Sequence, residues 1–151
     1  MRHGILIIFV FQILFSCTPE TIIDSKNFDF EEGWNFTNSL IAEFNDLDES
    51  NNSINVSLRL KYLHEFPYEN IYLRTIIISQ NDTIVKEVKS FELQNEVGKW
   101  IGKKVGNGYS IKYPLINSSK TTNLRIEVEQ YSRDQILMGI ESAEIIIEQS
   151  K

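Results

Sequence analysis

The stretch INVSLRLK, residues 54–61, decides the fold class. Apolar Ile, Val, Leu and Leu at its even positions alternate with Asn, Ser, Arg and Lys at its odd positions. Such alternation is typical of a β-strand that has one face in a hydrophobic core and the other in water. Residues 124–129 repeat the pattern with Leu, Ile and Val against Arg and Glu. The two stretches predict sheets that pack through one face only.

More strands are predicted on either side of these two. The additional strand segments are 34–44 with a slip near Asn38, 71–79, 83–93, 109–113 and 140–148. The run 71–79 is continuous and apolar, which predicts a central strand buried on both faces. The turn residues Gln80-Asn81-Asp82 then predict a hairpin to the following strand.

Seven or eight strands without a convincing helix predict an all-β fold, an antiparallel β-sandwich. Jelly-roll and immunoglobulin-like topologies both fit this strand count. The one helical competitor is 141–149, and Ile145-Ile146-Ile147 favours a strand there.

Four segments are expected to lie outside the strands. Residues 17–32 are polar and lack periodicity, so they are predicted to be a tether. Residues 94–108 hold four of the seven glycines and predict a long structured loop. Residues 114–123 are predicted to be a turn region, and 131–139 a connection.

The N-terminal residues have the features of a lipoprotein leader. A basic start, Arg2-His3, precedes an apolar run to Phe15 that is shorter than the ~20 residues of a membrane-spanning helix. The following Ser16-Cys17 completes a stretch that resembles a bacterial lipobox, in which the cysteine is acylated with fatty acids such as palmitate. The alternative is a secreted protein with one unpaired cysteine. We expect a signal peptide over 1–16, a lipidated N-terminus and tether over 17–32, and a single β-sandwich domain over 33–151.

Composition argues against a nucleic-acid partner and against disulfide bonds. The formal net charge is −6, and it becomes −7 when Arg2 is removed with the signal peptide. Nucleic-acid binding requires clustered Lys and Arg, so no nucleic-acid partner is expected. Cys17 is the only cysteine, so no disulfide within the chain is expected. No cofactor is predicted.

No catalytic or metal-binding constellation stands out. His64 is the only histidine after the leader, and it has neither a Cys nor a second His to form a zinc site. Glu127 and Glu129 could serve as a carboxylate pair, but their alternation with apolar residues indicates a solvated strand face. The acidic residues at 46–49 lack the spacing of a calcium loop. The sequence therefore predicts a protein that is not an enzyme and has no metal site.

The glycine-rich segment carries the main aromatic candidate. Gly98-Lys99-Trp100-Ile101-Gly102-Lys103-Lys104 lacks the spacing of a nucleotide-binding loop. Trp100 among three lysines predicts either a contact surface or a core residue at the end of the sandwich.

Four groups of residues follow one another in a specific order. They are Trp34-x-Phe36; Leu58-Arg59 with Phe66-Pro67-Tyr68-Glu69-Asn70-Ile71-Tyr72-Leu73; the glycine-rich segment; and Ile126-Glu127-Val128-Glu129-Gln130 with Arg133 and Leu137-Met138-Gly139-Ile140. In order and spacing they resemble the gliding motility lipoproteins of the GldH type, from Cys17 to nearly the end of the chain. The chain departs from that pattern at Tyr131-Ser132, where a small residue and Met are expected, and it lacks a glycine ahead of Leu124.

The resemblance implies a non-enzymatic lipoprotein of the cell envelope that is needed for gliding and is tied to the type IX secretion machinery. It implies the membrane as a partner through lipid at Cys17, together with other gliding motility or secretion lipoproteins and envelope proteins. A lone Glu20 after the cysteine favours an outer-membrane position facing the periplasm. The candidate partner contacts are Pro67, Tyr68, Trp100, Gly102, Gln130 and Arg133.

Two further hypotheses concern glycans. Asp82-Thr83-Ile84 resembles the short O-glycosylation signal of Bacteroidetes periplasmic proteins, which makes Thr83 a candidate modification site. The alternative to a role in the gliding apparatus is a lipid-anchored glycan-binding module. In that case several of the rings of Trp34, Trp100, Tyr109 and Tyr113 should be exposed and coplanar on one face.

Overall fold

The computed structural model describes residues 21–47, 53–118 (without the Ser118 side chain) and 122–149. These residues form eleven strands and no helix. In chain order the strands are β1 (Ile22–Asp29), β2 (Trp34–Asn35), β3 (Leu40–Phe44), β4 (Ile54–Leu63), β5 (Asn70–Ser79), β6 (Asp82–Glu92), β7 (Lys103–Val105), β8 (Gly108–Ser118), β9 (Leu124–Gln130), β10 (Ile136–Leu137) and β11 (Ile140–Gln149).

The strands build two packed sheets and a small ribbon. One sheet has the order β1-β11-β4-β8-β7, the other has the order β3-β9-β5-β6, and β2 pairs with β10. All pairs are antiparallel. The predicted antiparallel sandwich is therefore confirmed.

The topology is that of a jelly roll. Among the eight longer strands, the first pairs with the last (β1 with β11), and β3 pairs with β9, β4 with β8, and β5 with β6. This nested pairing is what results when a long double ribbon is wound into two sheets. In an immunoglobulin-like sandwich the first two strands share a sheet, whereas here β1 and β3 lie in opposite sheets.

The alternating stretches supply the core as predicted. Val56, Leu58 and Leu60 on β4 are fully buried, and Ile126 and Val128 on β9 are buried opposite them. Each such side chain contributes about 1.5–3 kcal/mol through removal from water. Residues 140–148 form a strand in β11, as the isoleucine run indicated.

The predicted tether is too long, because Ile22–Asp29 forms β1. This strand pairs with β11 from Ile22 opposite Glu148 to Asp29 opposite Ser142. It lies at the edge of its sheet with most side chains exposed, so backbone pairing holds it and its sequence shows no alternation. The predicted signal peptide and the lipidation of Cys17 concern residues outside those described.

The predicted turn region at 114–123 is also wrong in its first half, because β8 continues through Pro114 to Ser118. Ser57 pairs with Pro114 and Val56 with Ile116, so the ladder shifts by one residue there. The neighbouring β7 pairs only as far as Ser110, which leaves Pro114 on an edge. An edge position and a bulge both tolerate a residue without an N–H donor.

Strand β5 is central but is not buried on both faces. Ile71, Leu73 and Ile77 point into the core, whereas Tyr72 is 48% exposed on the opposite face. None of the described residues covers the outer face of its sheet, so the apolar run reflects the strand's central position and not a second buried layer. The predicted hairpin to β6 is confirmed, with a turn at Gln80 and Asn81 in positive-φ conformations.

Candidate docking cleft and aromatic cluster

A cleft of about 290 Å3 opens at one end of the four-stranded sheet, where β5 begins and β9 ends. The two strands are held in register there by the backbone N–H of Tyr131, which donates to the Tyr72 carbonyl at 2.8 Å. The cleft is lined by Tyr68, Asn70, Ile71, Tyr72, Tyr131, Ser132, Arg133 and Leu137. It joins two stretches of sequence that lie about sixty residues apart.

Three exposed tyrosines dominate the cleft. Tyr68 is 42% exposed, Tyr72 48% and Tyr131 57%. Tyr68 is held from both ends: its ring packs edge-on against buried Phe66 with centroids 5.8 Å apart, and its hydroxyl donates to Asp134 Oδ2 at 2.6 Å. This hydrogen bond is the main cause of a raised pKa at Tyr68. The ring is therefore positioned before any partner arrives.

Gln130 is buried beneath the cleft and shapes it from inside. Its side chain is buried, and Oε1 accepts hydrogen bonds from the Ser132 backbone N–H at 2.9 Å and the Ser132 hydroxyl at 2.6 Å. Its Nε2 donates to the Asp134 carbonyl at 3.0 Å. These bonds fix the loop that presents Arg133.

Arg133 supplies the charge of the cleft. Its side chain is exposed, and the described residues give it neither a hydrogen bond nor an ion pair. Pro67 is exposed beside Tyr68. Of the six predicted contact residues, the structure therefore places Tyr68 and Arg133 in the cleft, Pro67 beside it and Gln130 beneath it.

A cluster of aromatic rings lies behind the cleft. Tyr62 is buried, with ring centroids 5.5 Å from Trp100, 5.8 Å from Tyr109 and 6.4 Å from Phe66. Trp100 is half-buried and packs against the core. Its position is therefore intermediate between the two predicted alternatives, a core residue and a contact surface. The contacts from Trp100 through Tyr62 and Phe66 to Tyr68 connect the glycine-rich loop with the cleft.

The glycine-rich loop is a defined structure, as predicted. Asn95 Oδ1 accepts hydrogen bonds from the backbone N–H groups of Val97 at 3.1 Å and Lys99 at 2.9 Å. Gly102 has φ +95°, and a Cβ there would lie 2.6 Å from the Ser110 carbonyl oxygen. Only glycine fits this approach. Gly102 itself is exposed and remains available for contact.

Tyr62 fastens this loop to the core. Its single hydroxyl proton is shared between two acceptors, the carbonyl of Ile101 and, at 3.2 Å, the carbonyl of Leu93. Burial, with a smaller contribution from Tyr109, raises the pKa of Tyr62 to about 12.

Replacing Tyr62 with phenylalanine should therefore lower the free energy of unfolding by about 1–3 kcal/mol, because the Ile101 carbonyl loses this donor. The Leu93 carbonyl keeps the backbone N–H of Ile101 as a donor at 2.9 Å. Urea unfolding followed by tryptophan fluorescence measures this change. Tyr109→Phe is the matched control: its hydroxyl has no hydrogen-bond partner in the described part of the chain, and we expect a change within about 0.5 kcal/mol. Equal losses in the two variants would contradict the fastening role.

The rings named for the predicted sugar platform are not exposed together: Trp34 is buried, and Trp100, Tyr109 and Tyr113 are half-buried. Trp34 is fully buried, stacks on Phe30 with centroids 4.9 Å apart, and uses its indole N–H to bond the Asn38 carbonyl at 2.9 Å. Tyr113 packs edge-on against Phe91 and donates its hydroxyl to the Glu92 carbonyl. The reason is topological: the aromatic positions of β2 and β8 face inward.

The remaining candidate residues from the sequence do not line the cleft. Thr83 is exposed beside the β5–β6 turn. Glu127 pairs with Arg125 at 2.8 Å on the outer face of β9, as the solvated-face interpretation requires. The described residues contain no group of three or more His, Cys, Asp or Glu side chains arranged to hold a metal ion. Part of the acidic stretch at 46–49 lies outside the described residues.

Glu129 makes the stability depend on pH. Burial acts to raise its pKa, but hydrogen bonds from Ser39 Oγ and Arg74 Nε, both at 2.7 Å, outweigh burial and hold the pKa below its ordinary 4.5. A carboxylate with a lowered folded-state pKa stabilises the fold fully above its unfolded pKa, and this contribution is lost as pH falls through the folded value.

We therefore expect the stability difference between wild type and Glu129→Gln to shrink as the pH falls below about 4.5. Urea unfolding at a series of pH values measures it. Ser39→Ala removes one of the hydrogen bonds that lower the pKa of Glu129. In this variant the stabilising contribution of Glu129 should therefore be lost at a higher pH. A difference that stays constant with pH would contradict this assignment.

Comparison with known proteins identifies the family. The family model described as GldH lipoprotein matches residues 22–147. The chain belongs to the GldH lipoprotein family. This confirms the resemblance. The family is one of gliding-motility-associated lipoproteins, which implies association of this chain with a membrane.

Other comparisons add little to the GldH assignment. The crystal structure of dimeric latent PorU from Porphyromonas gingivalis is similar with a TM-score of 0.38 and 12% identity, over 89% of this chain and 14% of that chain. This chain thus spans a small part of that protein, and a likeness of this size supports no inference. No curated protein matches this chain. None of its described residues belongs to a helix long and apolar enough to cross a bilayer.

Proposed function

We propose that this lipoprotein is a non-enzymatic docking domain that supports assembly or stability of the gliding and type IX secretion machinery. The observation that carries the proposal is the cleft. Two distant stretches of sequence, 66–73 and 126–133, converge there on three exposed tyrosines and one arginine. Aromatic rings and arginine are the side chains that most often anchor protein interfaces.

The geometry of the cleft favours an extended segment of an envelope protein as its ligand. Tyr68 and the loop carrying Arg133 are held by internal hydrogen bonds, so little ordering accompanies binding. The Arg133 guanidinium can pair with a carboxylate, while the tyrosine rings pack on apolar side chains. The loop with Trp100 and Gly102 is proposed as a neighbouring contact surface, because aromatic packing connects it with the cleft.

The anchor is the second part of the proposal. Acylation of Cys17 would hold the domain on the envelope. The proposed location is the outer membrane, with the domain facing the periplasm. The lipobox-like sequence and the lipoprotein family support this part. Thr83 lies at the far end of the β5–β6 hairpin from the cleft, so an O-glycan at Thr83 would leave the cleft open.

Photo-cross-linking in intact cells tests the docking role. A photoreactive amino acid at Tyr131 or Tyr72 of the full-length protein should give an adduct with a specific envelope protein. The same probe at Ile41, which is similarly exposed but lies on β3 outside the cleft, is the matched control. Arg133→Ala should reduce the adduct and gliding together, and Cys17→Ala should abolish both.

Two outcomes would count against the proposal. Equal adducts from Tyr131 and Ile41 would show that the cleft has no specific ligand. Retention of envelope polysaccharide in place of a protein adduct, lost in Tyr72→Ala, would establish the glycan-binding alternative. The cleft's tyrosine rings and the Asn70 amide could serve such a ligand.

A further inference from the structure

Strand β6 is a long free edge. It has eleven residues, ends the order of the four-stranded sheet, and pairs only with β5. Most of its side chains are exposed, including Val88 at 47% and Ile84 at 42%. A free edge presents unpaired N–H and C=O groups that can pair with another strand.

Two charged residues on this edge, Glu87 and Lys89, form no ion pair within the part of the chain that the structure describes. Glu87 is opposite Thr75 and Lys89 is opposite Leu73 in the β5 register, so both lie on the face of β6 that turns toward the opposite sheet. Both are nevertheless exposed, and neither forms an ion pair among the described residues. Lys89 Nζ lies 5.8 Å from the centroid of the Phe91 ring.

Among the two-fold axes possible on the regular stretch 85–91, only one pairs opposite charges without also pairing like charges. In an antiparallel pair, directly opposite residues lie on the same face of the sheet, so a two-fold axis perpendicular to the sheet passes through a residue. An axis at Lys86, Glu87 or Lys89 places that charge against itself. An axis at Val88 places Glu87 opposite Lys89 of the second copy, twice over, with Val88 against Val88 and Val85 against Phe91.

We propose that β6 pairs with β6 of a second copy of this chain about a two-fold axis at Val88. The two four-stranded sheets then continue as one eight-stranded sheet, with an isologous contact. A strand pair buries less surface than a standard interface, so the dimer should be weak and favoured by a high local concentration on a membrane. The inference does not depend on the ligand of the cleft.

The competing interpretation is protection of the edge. Charged residues and bulges on edge strands commonly prevent pairing, and β6 has a register shift next to Ile84. Protection requires only that charges be present, whereas self-pairing requires that opposite charges meet in one register. The two readings therefore give different results when the charges are exchanged.

Cysteine cross-linking of the full-length protein in intact envelopes tests the register. Val88→Cys should form a disulfide dimer, because directly opposite Cα atoms lie about 4.5–5.5 Å apart. Lys86→Cys alone should not, because its equivalent in the second copy would be about 13 Å away along the strand. Lys86→Cys and Ser90→Cys, which do face each other in this register, should cross-link when co-expressed. The native chain, in which Cys17 is the only cysteine, shows how much cross-linking occurs without an introduced cysteine.

Charge exchange tests the energetics. In the Val88→Cys background, Glu87→Lys should weaken the dimer roughly tenfold or more, since two attractive pairs become two repulsive ones. Lys89→Glu should do the same, and the double exchange should restore cross-linking. All these positions are exposed, so circular dichroism should show an unchanged fold.

Several results would overturn the proposal. These are the absence of a Val88→Cys dimer, equal cross-linking of Val88→Cys and Lys86→Cys alone, or single charge reversals without effect. Cross-linking of Val88→Cys to a different protein would show that β6 receives a foreign strand and not a second copy.

Discussion

Trp34→Ala is expected to lower the free energy of unfolding by about 3–5 kcal/mol, the largest effect of any truncation considered. The side chain is fully buried, so its removal leaves a cavity and breaks the stacking on Phe30. It also removes the donor that satisfies the Asn38 carbonyl. Urea unfolding followed by circular dichroism measures the loss.

The same substitution should also disturb the lining of the cleft. Trp34 is paired with Leu137 in the β2–β10 ribbon, and Leu137 lines the cleft. Trp34→Phe is the control, because it keeps a stacking ring and loses only volume and the N–H donor. Its loss should be smaller than that of Trp34→Ala. If Trp34→Ala costs less than about 1 kcal/mol, the ribbon does not belong to the cooperative unit.

Gly108→Ala is expected to destabilise the fold by about 3 kcal/mol. A Cβ at this position would lie 2.1 Å from the Tyr62 carbonyl oxygen and 2.9 Å from its carbonyl carbon. Backbone cannot rotate away as a side chain can, so the β4–β8 pairing at Leu63 and Gly108 must separate. The shift would also displace Tyr62, and with it the glycine-rich loop.

Gly106→Ala is the matched control for Gly108→Ala. Gly106 has φ +58° but nothing within 4 Å of the added Cβ, so only the conformational cost of about 1 kcal/mol applies. The comparison separates close backbone approach from backbone conformation in one loop. A larger loss at Gly106 than at Gly108 would show that the packing at Tyr62 gives way easily.

Sequence patterns predicted the parts of the fold that burial governs. The alternation at 54–61 and 124–129 identified β4 and β9, because one face of each strand lies in the core. Strand β1 was missed because an edge strand is held by backbone hydrogen bonds, which leave no pattern in side-chain polarity. Pro114 suggested a turn, but one open edge and a one-residue shift accommodate it within β8.

The candidate site was predicted in part. Tyr68 and Arg133 were selected as contacts, but Tyr72 and Tyr131 were not. Tyr72 was hidden in a continuous apolar run, although its place between inward Ile71 and Leu73 could have indicated an outward ring. That the two stretches meet depends on the pairing of β5 with β9, which the sequence alone does not reveal.

The nested strand order has a mechanical consequence. Ile22, where β1 starts, lies beside Glu148 at one end of the sandwich, whereas the cleft lies at the other end, where β5 begins. β1 spans about 26 Å in that direction. Tension between the chain ahead of Ile22 and a ligand in the cleft would run along β1. All its hydrogen bonds to β11 would then share the load in shear, and none would be peeled open singly.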